Sequence, residues 1–411
     1  MAVIRAFKCV HPAKGLASEI AALPYDVYSR QEARKQVEKE PFSFLRIDRA
    51  ETQFDENMDI YAPEVYQKAH DLLYGMIAEG SFVKEEKPCY YLYELTMGER
   101  SQTGLVACAS VDDYLNGVIK KHENTTEEKE MDRIRHVDVC NAQTGPIFLA
   151  YRNQDMIRGI INLVKKGSPM FDFVSEDGIG HRGWCIDREE DIAQIRDTFA
   201  AIDKIYIADG HHRAASAVKV GLKRRAEHPD YDGTEEFNYF LSVLFPDDEL
   251  FIMDYNRVVK DLKGQTEEEF LEKVKLVFDM EAYEGQYRPE RKGTFGMYIG
   301  GQWYKLSAKP ELVRNDPVEG LDVAYLQREL LAPYLSIKNP KTCHRIEYIG
   351  GIRGLNELER RVDGGSAVAF AMFPTSIGEL FAVADAGELM PPKSTWFEPK
   401  LRSGLFIHIM E

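Results

Sequence analysis

The clearest change of hydrophobic pattern along the chain occurs between residues 204 and 229. Residues 205–208 form a short apolar, β-prone run, which predicts a buried strand. The dipeptide Asp209-Gly210 then favours a sharp turn. Small apolar residues at positions 214, 215, 217 and 218, followed by cations and Pro229, predict a helix. The pattern therefore predicts a strand, a turn and a helix in immediate succession.

Other elements follow from the same kind of pattern. Capping boxes at residues 29–32 and 376–379 each predict the start of a helix, because the first Ser and the Glu three positions later bond each other's backbone. Residues 89–95 and 104–110 predict two neighbouring strands of a hairpin. Another hairpin is predicted over the two glycines at 300–301.

Two further predictions concern strands. Residues 41–48 alternate between apolar and polar positions, which predicts a strand with Ser43, Arg46 and Asp48 on one polar face. The apolar runs on either side of the turn at 246–248 predict a hairpin.

Helical and strand patterns mix along the whole chain, so we expect an α+β protein. A length of 411 residues suggests two or three domains. The patterns divide the chain into an N-terminal αβ region (1–100), a core that carries the central turn (101–260) and a C-terminal αβ region (261–411). We expect the last region to fold back on the core.

Composition restricts the classes of function. A formal net charge of −16 and a pI near 5.2 argue against general nucleic-acid binding, which requires a basic surface. The six cysteines are scattered without C-x-x-C spacing, which predicts neither a zinc site nor a disulfide framework. We find no signal-peptide pattern and no apolar run long enough to span a membrane, so we expect a cytoplasmic protein.

The central turn has the composition of a phosphate site. The first N–H groups of a helix are unpaired and lie at the positive end of its dipole, so they attract anions. Gly210 allows close approach, and Arg213 offers a planar fork that suits phosphate. Asp209 could hold a divalent metal, and His211 or His212 could move a proton. The alternative is a tight turn whose imidazoles cap the backbone.

A second polar cluster, Lys121-His122-Glu123, precedes a helix predicted over residues 127–139. A cation, an imidazole and a carboxylate at a helix start suit an anion and a general base. The charged positions of the helix itself recur at three- and four-residue steps, so a solvated helix with ion pairs is the alternative for that segment.

A third cluster lies in a Pro-bounded loop near the C-terminus, which carries Lys393, Ser394, Thr395 and Lys400. Its cations and hydroxyls could clamp a phosphate or a carboxylate. The alternative is a loop with solvent-facing lysines.

Five parts of the chain together carry a family resemblance: Leu23-Pro-Tyr-Asp-Val27, Ser43-Phe-Leu-Arg-Ile47, Lys121-His-Glu-Asn-Thr125 with Lys129-Glu-Met-Asp-Arg133, Ile207-Ala-Asp-Gly-His-His-Arg213, and Met390-Pro-x-Lys-Ser-Thr-x-Phe-x-Pro-Lys400. With these segments in this order, the chain resembles over nearly its full length a prokaryotic family long catalogued as a domain of unknown function. That family is often filed under a ParB-like (SpoOJ) heading.

The Asp-Gly-His-His-Arg segment is also similar to the phosphate-binding turn of the ParB/sulfiredoxin superfamily, and free serine kinases carry an Asp-Gly-His version. The resemblance implies a ParB/sulfiredoxin-like αβ core over 101–260, whose turn at 209–213 holds nucleotide phosphates. It also implies that Glu123 or His122 stands near the catalytic carboxylate position of the serine kinases. Sulfiredoxin chemistry is absent because His211 replaces the required Cys, and the DNA-reading helix-turn-helix of ParB is not evident.

The resulting hypothesis is phosphoryl transfer at the serine/phosphoserine step of serine metabolism. Release of serine from phosphoserine is favoured, with the phosphate passed to water or to a nucleoside diphosphate. The expected roles are phosphate binding for Asp209, Gly210, His211, His212 and Arg213, Mg²⁺ binding for Asp209, proton transfer for Glu123, His122, His211 or His212, and substrate binding for Lys121, Arg46, Lys393, Ser394 and Thr395.

The expected partners are small molecules, namely phosphoserine or serine and Mg²⁺, with ADP or ATP as a candidate co-substrate. Neither nucleic acid nor a membrane is expected, and the patterns leave the oligomeric state open. Three alternatives remain: a free serine kinase that uses ADP or ATP, a nucleotide-binding ParB-like switch without metabolite turnover, and a non-catalytic protein whose turn is structural.

Overall fold

The computed structural model describes residues 1–125 and 127–410, and the chain divides into two compact units. The first unit combines residues 1–250 with residues 399–410, and the second contains residues 251–398. Sequence patterns placed boundaries near 100 and 260 instead. Both units mix helices with multi-stranded sheets, so the α+β class is confirmed. The ParB/sulfiredoxin-like character of the core stays a prediction.

The first unit contains most of the helices and strands of the N-terminal part of the chain. Its strands are β1 (Ile4–Arg5), β2 (Val10–Pro12), β3 (Phe82–Lys84), β4 (Tyr90–Met97), β5 (Arg100–Ser110), β6 (Ile119–Lys120), β7 (Ala142–Gln143), β8 (Ile147–Tyr151), β9 (Phe171–Val174), β10 (Gly180–Ile186), β11 (Ile205–Asp209) and β12 (Tyr239–Pro246). Its helices are α1 (Ala17–Ile20), α2 (Arg30–Lys39), α3 (Leu45–Asp48), α4 (Pro63–Ala78), α5 (Val111–Leu115), α6 (Glu127–Cys140), α7 (Asp155–Val164), α8 (Glu189–Phe199) and α9 (His211–Glu227).

One large mixed sheet forms the centre of the first unit. Within the described residues it has nine strands, in the order β6-β11-β8-β12-β5-β4-β10-β9, with β1 paired to β5. The pairs β11 with β6 and β12 with β8 are parallel, and the other pairs are antiparallel. The predicted hairpin of β4 and β5 is confirmed. The strand that leads into the central turn, β11, therefore lies between two neighbours near one end of the sheet.

Apolar side chains of α7, α8 and α9 pack on this sheet. Ile160 and Phe199 contribute from α7 and α8, and Ala214, Ala217 and Val218 contribute from α9. The small residues of α9 let the helix lie close to the strands. This packing fixes the start of α9 at the end of β11, where the site is built.

A second apolar cluster lies around α3 and α4, and it contradicts the predicted strand over residues 41–48. That segment contains the short helix α3 instead. Phe44, Leu45 and Ile47 are all fully buried, and such burial of adjacent positions fits a helical turn but not an alternating strand. The predicted polar face is also wrong, because Ser43 and Asp48 are buried. The capping box before α2 is confirmed, with Ser29 and Glu32 bonding each other's backbone.

The predicted hairpin around residues 246–248 is wrong. β12 pairs with β5 and β8 inside the large sheet, so its continuous apolar run is that of a central strand. The residues that follow 250 belong to the second unit. A short apolar segment after a turn is common to a hairpin and to a passage between units, so the local pattern did not separate the two.

The second unit has its own sheet, in the order β15-β17-β16-β19-β14-β18. The hairpin of β16 and β17 and the capping box of α14 confirm the sequence predictions. Its strands are β13 (Ile252–Met253), β14 (Tyr255–Val259), β15 (Phe278–Tyr283), β16 (Thr294–Ile299), β17 (Gln302–Ala308), β18 (Ile346–Gly350), β19 (Val368–Ala371) and β20 (Trp396–Phe397). Its helices are α10 (Glu267–Val277), α11 (Asp322–Tyr325), α12 (Ala332–Leu335), α13 (Asn356–Asp363) and α14 (Ile377–Asp385).

Residues 399–410 return to the first unit after the second unit is complete. The backbone N–H of Ile407 donates to the carbonyl of Val10, and the N–H of Ser403 donates to that of Ala22, each at 2.9 Å. The segment ends in β21 (His408–Ile409), which pairs with β7. Residues 401–410 are all buried, so this segment belongs to the core of the first unit.

Among the helices of the described residues, none combines the length and the apolar character that crossing a membrane requires.

We expect Phe406→Ala to destabilise the first unit by about 3–5 kcal/mol, because it would leave a cavity in a packed core. The ring is fully buried and lies 5.7 Å from the ring of Tyr93 and 5.8 Å from that of Phe171. The matched control is Phe42→Ala, whose ring is 48% exposed, with an expected effect below about 1 kcal/mol.

Urea unfolding followed by the fluorescence of Trp184 measures both variants, with Trp303 and Trp396 of the second unit replaced by Phe. Equal losses of free energy of unfolding in the two variants would contradict the structural role of the returning segment.

Candidate functional site

The predicted succession of strand, turn and helix is confirmed at β11 and α9. β11 ends at Asp209, and α9 begins at His211. Between them Gly210 has φ +93° and ψ 30°, a left-handed conformation that other residues rarely adopt. With Gly210 in this conformation, a single residue separates the end of the strand from the start of the helix.

The N-terminus of α9 has the electrostatics of an anion site. No side chain caps it, and its first turn contains no acidic residue. The first turn carries His211, His212 and Arg213, although positive charge is unfavourable at the positive end of a helix dipole. The backbone bond from the Ala214 N–H to the Gly210 carbonyl, 2.9 Å long, starts the helical series, so earlier N–H groups have no acceptor within the helix. An anion bound there would accept the unpaired N–H groups and would offset the positive charge of the first turn.

Asp209 is tied into this turn by a cation from the returning segment. Its Oδ2 lies 2.8 Å from the Nζ of Lys400, and its Oδ1 accepts the N–H of Gly210 at 2.7 Å. Desolvation acts to raise the pKa of Asp209, but the charges of Lys400 and Arg213 and the Gly210 bond outweigh it and hold this pKa well below its ordinary value. The carboxylate is therefore ionised throughout the neutral range, and it places an ammonium beside the helix N-terminus.

The described residues offer little for a protein-held Mg²⁺. They contain no group of three or more His, Cys, Asp or Glu side chains arranged to bind a metal. Asp209 already uses one carboxylate oxygen for Lys400 and the other for the backbone. To serve as the predicted metal ligand it would have to release Lys400, so we derive no step through a metal.

Two buried imidazoles face each other beside the turn. The rings of His122 and His211 meet edge to face with centroids 4.5 Å apart, and the two residues are only 2% and 6% exposed. The Nδ1 of His122 has no hydrogen-bond partner among the described residues.

The Nε2 of His211 likewise has no partner in the part of the chain that the structure describes. Its Nδ1 lies 4.0 Å from a carboxylate oxygen of Glu123, which comes from the predicted second cluster. Burial lowers the pKa of His122 to about 4, although the charge of Asp209 opposes this. Burial, and then the neighbouring His122, hold the pKa of His211 well below its ordinary value. Both rings are therefore neutral near pH 7.

Other predicted residues of these two clusters have different surroundings. The carbonyl of His212 accepts the hydroxyl of Ser216 at 2.7 Å, as in an ordinary helix turn. Lys121 is exposed, and its ammonium lies 4.7 Å from the centre of the Tyr114 ring. The guanidinium of Arg213 donates to the carbonyl of Pro146 at 2.9 Å.

The remaining predicted substrate-binding residues are Arg46, Lys393, Ser394 and Thr395. Arg46, on α3, donates to the carbonyl of Pro41 at 2.8 Å. Lys393, Ser394 and Thr395 belong to the second unit, where the hydroxyl of Ser394 donates to a backbone carbonyl of its own loop. Their role in substrate binding stays a prediction, and Lys400 is the residue of that sequence cluster that reaches Asp209.

A small polar cavity beside α9 brings together residues that the sequence predictions did not combine. Its volume is about 30 Å³, which is room for about two water molecules. We call it the α6–α9 cavity, and its polar lining consists of Tyr25, Asp48, Arg133, His136, Gln143, Thr144 and Arg213.

The burial of α6 bears on the alternative of a solvated helix over residues 127–139. Arg133 and His136 are only 7% and 3% exposed, so this face of α6 is directed into the unit. The available sequence signal was the spacing of charges on α6, together with the acid at residue 48. Charge spacing alone cannot distinguish a solvated face from a buried polar site.

Structural comparison finds several solved proteins of low similarity. One is SbnI with a C-terminal truncation from Staphylococcus aureus, with a TM-score of 0.39 and 14% identity over 71% of this chain and 82% of that protein. Another is a free serine kinase in complex with AMP, with a TM-score of 0.36 and 16% identity over 74% of this chain and 91% of the kinase. A conserved hypothetical protein from Pyrococcus furiosus has a TM-score of 0.35 and 14% identity over 74% and 95%. A likeness at this level does not identify an activity.

No curated protein matches the sequence. A family model does match, over residues 4–324, which include the central turn, the Lys121-His122-Glu123 cluster and the lining of the α6–α9 cavity. It carries no ParB-like or SpoOJ heading, so that part of the resemblance stays a prediction. Because the match covers well over half of the sequence, the chain belongs to the family described as protein of unknown function, DUF1015.

Proposed function

We propose that the protein is a phosphotransferase that moves a phosphoryl group between the hydroxyl of free serine and a nucleotide. The uncapped N-terminus of α9 would hold the phosphates of the nucleotide, with Lys400 beside it. Preorganised N–H groups and cations of this kind stabilise the charge of a transferring phosphoryl group.

The observation that carries the proposal is the pair of unsatisfied imidazole nitrogens beside this N-terminus. Buried polar atoms are nearly always hydrogen-bonded, and a missing bond costs about 1–3 kcal/mol. Another buried histidine of the same unit follows the rule, because His181 bonds Tyr93 through Nδ1 and Ser175 through Nε2. His122 and His211 each leave one nitrogen without a partner among the described residues. A ligand at the turn would supply the missing partners.

These nitrogens also supply the proton chemistry. In the direction from nucleotide to serine, the serine oxygen forms a bond to phosphorus and the bond from phosphorus to the leaving phosphate oxygen breaks. The proton of the serine hydroxyl passes to Nδ1 of His122 or to Glu123, both of which border the turn. In the reverse direction the same group returns the proton to serine.

Serine as the amino acid comes from the resemblance of the Asp209–Arg213 turn to the Asp-Gly-His turn of free serine kinases. The same site with water as acceptor would be a phosphoserine phosphatase. The kinase and the phosphatase would use the same phosphate contacts and would differ in the acceptor of the phosphoryl group. One experiment that identifies the products therefore separates them.

Phosphorus NMR of the pure protein tests the proposal. We expect phosphoserine with ADP and added Mg²⁺ to yield ATP and serine, and serine with ATP or ADP to yield phosphoserine. Release of free phosphate from phosphoserine in the absence of nucleotide would identify the protein as a phosphatase. No conversion in any mixture, with nucleotide still bound, would contradict enzymatic phosphoryl transfer and favour a nucleotide-binding switch.

Lys400→Met should lower kcat/KM about 100-fold or more, because it removes a cation beside the transferring group, and losses of this size follow removal of one stabilising donor. The matched control is Lys223→Met, on the last half of α9, where the ammonium pairs with Asp138 at 2.5 Å. The control should stay within about twofold of the wild type. A Lys400→Met enzyme with full activity would remove Lys400 from the proposed site.

The lowered pKa of His122 makes a prediction about stability. The folded state takes up a proton near pH 4, whereas the unfolded state takes it up near pH 6.5. Between these values the unfolded state binds more protons, so the free energy of unfolding falls as the pH falls from 6.5 to 4. For this one histidine the loss between pH 7 and pH 5 is about 2 kcal/mol.

Urea unfolding at pH 7 and pH 5 measures this difference. His122→Asn should reduce the pH-dependent loss by about that amount, and His70→Asn, at a half-buried position of α4, serves as the control. An unaltered pH dependence in His122→Asn would mean that the imidazole is not held neutral in the folded protein.

A further inference from the structure

The second unit contains a cavity that the sequence predictions did not involve. Its volume is about 460 Å³, which lies within the range of about 300–1,000 Å³ that is typical of small-molecule sites. All of its lining residues belong to the second unit, and they come from residues 291–293, the end of β17, the loop 310–320 and α11. We call it the α11 pocket.

The loop between β17 and α11 has a fixed shape. Arg328 donates to the carbonyl of Leu312 at 3.1 Å, and to the carbonyl and the carboxylate of Glu319 at 3.0 and 2.7 Å. The side chain of Asp316 accepts two backbone N–H groups of the same loop, at 2.9 and 2.8 Å. Arg328 lies in a π-helical turn, Leu326–Leu331, a rare form that often occurs at functional sites. The α11 pocket is therefore formed before any ligand enters it.

Two guanidinium groups of the α11 pocket retain donors for a ligand. Arg291 makes no side-chain hydrogen bond and no ion pair within the part of the chain that the structure describes. The guanidinium of Arg314 lies 3.4 Å from the carboxylate of Glu319, which Arg328 approaches more closely, at 2.7 Å. A guanidinium offers five N–H donors in a planar fork, so most donors of Arg291 and Arg314 are left for an acceptor in the pocket.

Asp322 is a partly buried carboxylate of the same lining. Both of its oxygens accept the N–H of Gly293, at 3.0 and 2.9 Å. Burial raises the pKa of Asp322 to about 6, although the Gly293 bond and the charge of Lys292 oppose the rise, and Glu379 adds to it. Near this pH Asp322 changes from a carboxylate that repels an anion to a carboxyl group that can donate to one. The other charged groups of the lining are Arg291, Arg314 and Glu319.

The charge of the lining favours a ligand with one negative charge. At neutral pH three cations and two carboxylates line the pocket, so one positive charge is left without a counterpart. A monoanion would balance that charge, whereas a dianion would exceed it and a cation would add to it. The apolar part of the lining includes Ala308, Pro310 and Val313, and Val313 is 49% exposed. Such surface is covered most favourably by hydrocarbon.

We propose that the α11 pocket binds a small organic carboxylate that has an apolar body. The carboxylate would lie against the guanidiniums of Arg291 and Arg314, and the hydrocarbon would lie against Pro310 and Val313. A guanidinium fork matches a carboxylate in shape, and charge-assisted hydrogen bonds of this kind are strong ones. The inference does not rest on the proposed function, because it uses the residues of the second unit alone.

Saturation-transfer NMR of the full chain with hexanoate as the probe tests the proposal. We expect hexanoate to bind with a Kd below about 10 mM, which is an affinity within reach of a ligand of this size. Acetate should bind at least about tenfold more weakly, because it lacks the hydrocarbon. Hexanamide and hexylamine should not bind saturably, because neither carries a negative charge.

Each of the alternative results would contradict part or all of the proposal. Equal binding of hexanamide or hexylamine would overturn recognition of the carboxylate. Equal binding of acetate would overturn the role of the apolar lining. The absence of saturable hexanoate binding would overturn the whole proposal.

Variants of the two arginines show where hexanoate binds. Arg291→Gln and Arg314→Gln should each weaken hexanoate about tenfold, and the double variant should lose measurable binding, because each change removes one charge-assisted contact. The matched control is Arg353→Gln, whose side chain is 61% exposed in the same unit and does not line the pocket. It should stay within about twofold of the wild type. Thermal unfolding verifies that the variants fold, and unchanged hexanoate binding in the folded double variant would contradict the proposal.

The pH dependence of hexanoate binding provides an independent readout. Hexanoate should bind about fivefold more tightly at pH 5.5 than at pH 7.5, because Asp322 loses its charge over this range while the hexanoate carboxylate stays ionised. Asp322→Asn keeps an acceptor for Gly293, and it should bind hexanoate equally at both pH values, about as tightly as the wild type does at pH 5.5. A pH dependence that persists in Asp322→Asn would contradict the placement of the ligand carboxylate in this pocket.

Discussion

The pairing of Asp209 with Lys400 is the interaction on which the candidate site depends. It joins two residues that are 191 positions apart, and it connects the end of β11 to the segment that returns from the second unit. Without Lys400, the Asp209 carboxylate would lose the stronger of the two cations that act on it, and Arg213 would remain. With it, an ammonium is held next to an uncapped helix N-terminus. The charge of the site is therefore a product of tertiary structure rather than of the turn alone.

Helix α9 serves both parts of the site. Its first residue is His211, whose ring contacts that of His122. Two positions later, Arg213 lines the α6–α9 cavity. Its small apolar residues meanwhile pack on the sheet and fix its position. Because one helix carries both His211 and Arg213, the spacing of their backbone positions is set by helix geometry and not by flexible loops.

Local sequence patterns predicted those features that local physics determines. The turn at Gly210, the capping boxes of α2 and α14, and the hairpins β4–β5 and β16–β17 depend on residues within a few positions of one another, and they are confirmed. The segment around Phe44 and Leu45 was predicted wrongly, since a short apolar alternation does not reveal whether both faces will be buried.

The α6–α9 cavity was beyond local prediction for a different reason. Asp48 and Arg133 come from α3 and α6, and each resembles an ordinary charged surface residue in its own segment. Only the packing of these helices makes them buried neighbours of one space. The pairing of Lys400 with Asp209 could not be predicted either. The loop that contains Lys400 has more than one cation, and the sequence alone does not show which of them contacts Asp209.

The return of residues 399–410 has a consequence for biosynthesis. The second unit lies between the two parts of the first, so the ribosome must synthesise about 150 residues, over roughly ten seconds or more, before Lys400 exists. During that time the backbone groups of Val10 and Ala22 that later bond the returning segment are open to other strands. The nascent first unit therefore lacks the cation that pairs with Asp209, and it is exposed to wrong pairing. A chaperone that covers these backbone groups during synthesis would increase the yield of folded protein without contacting the surface of the folded protein.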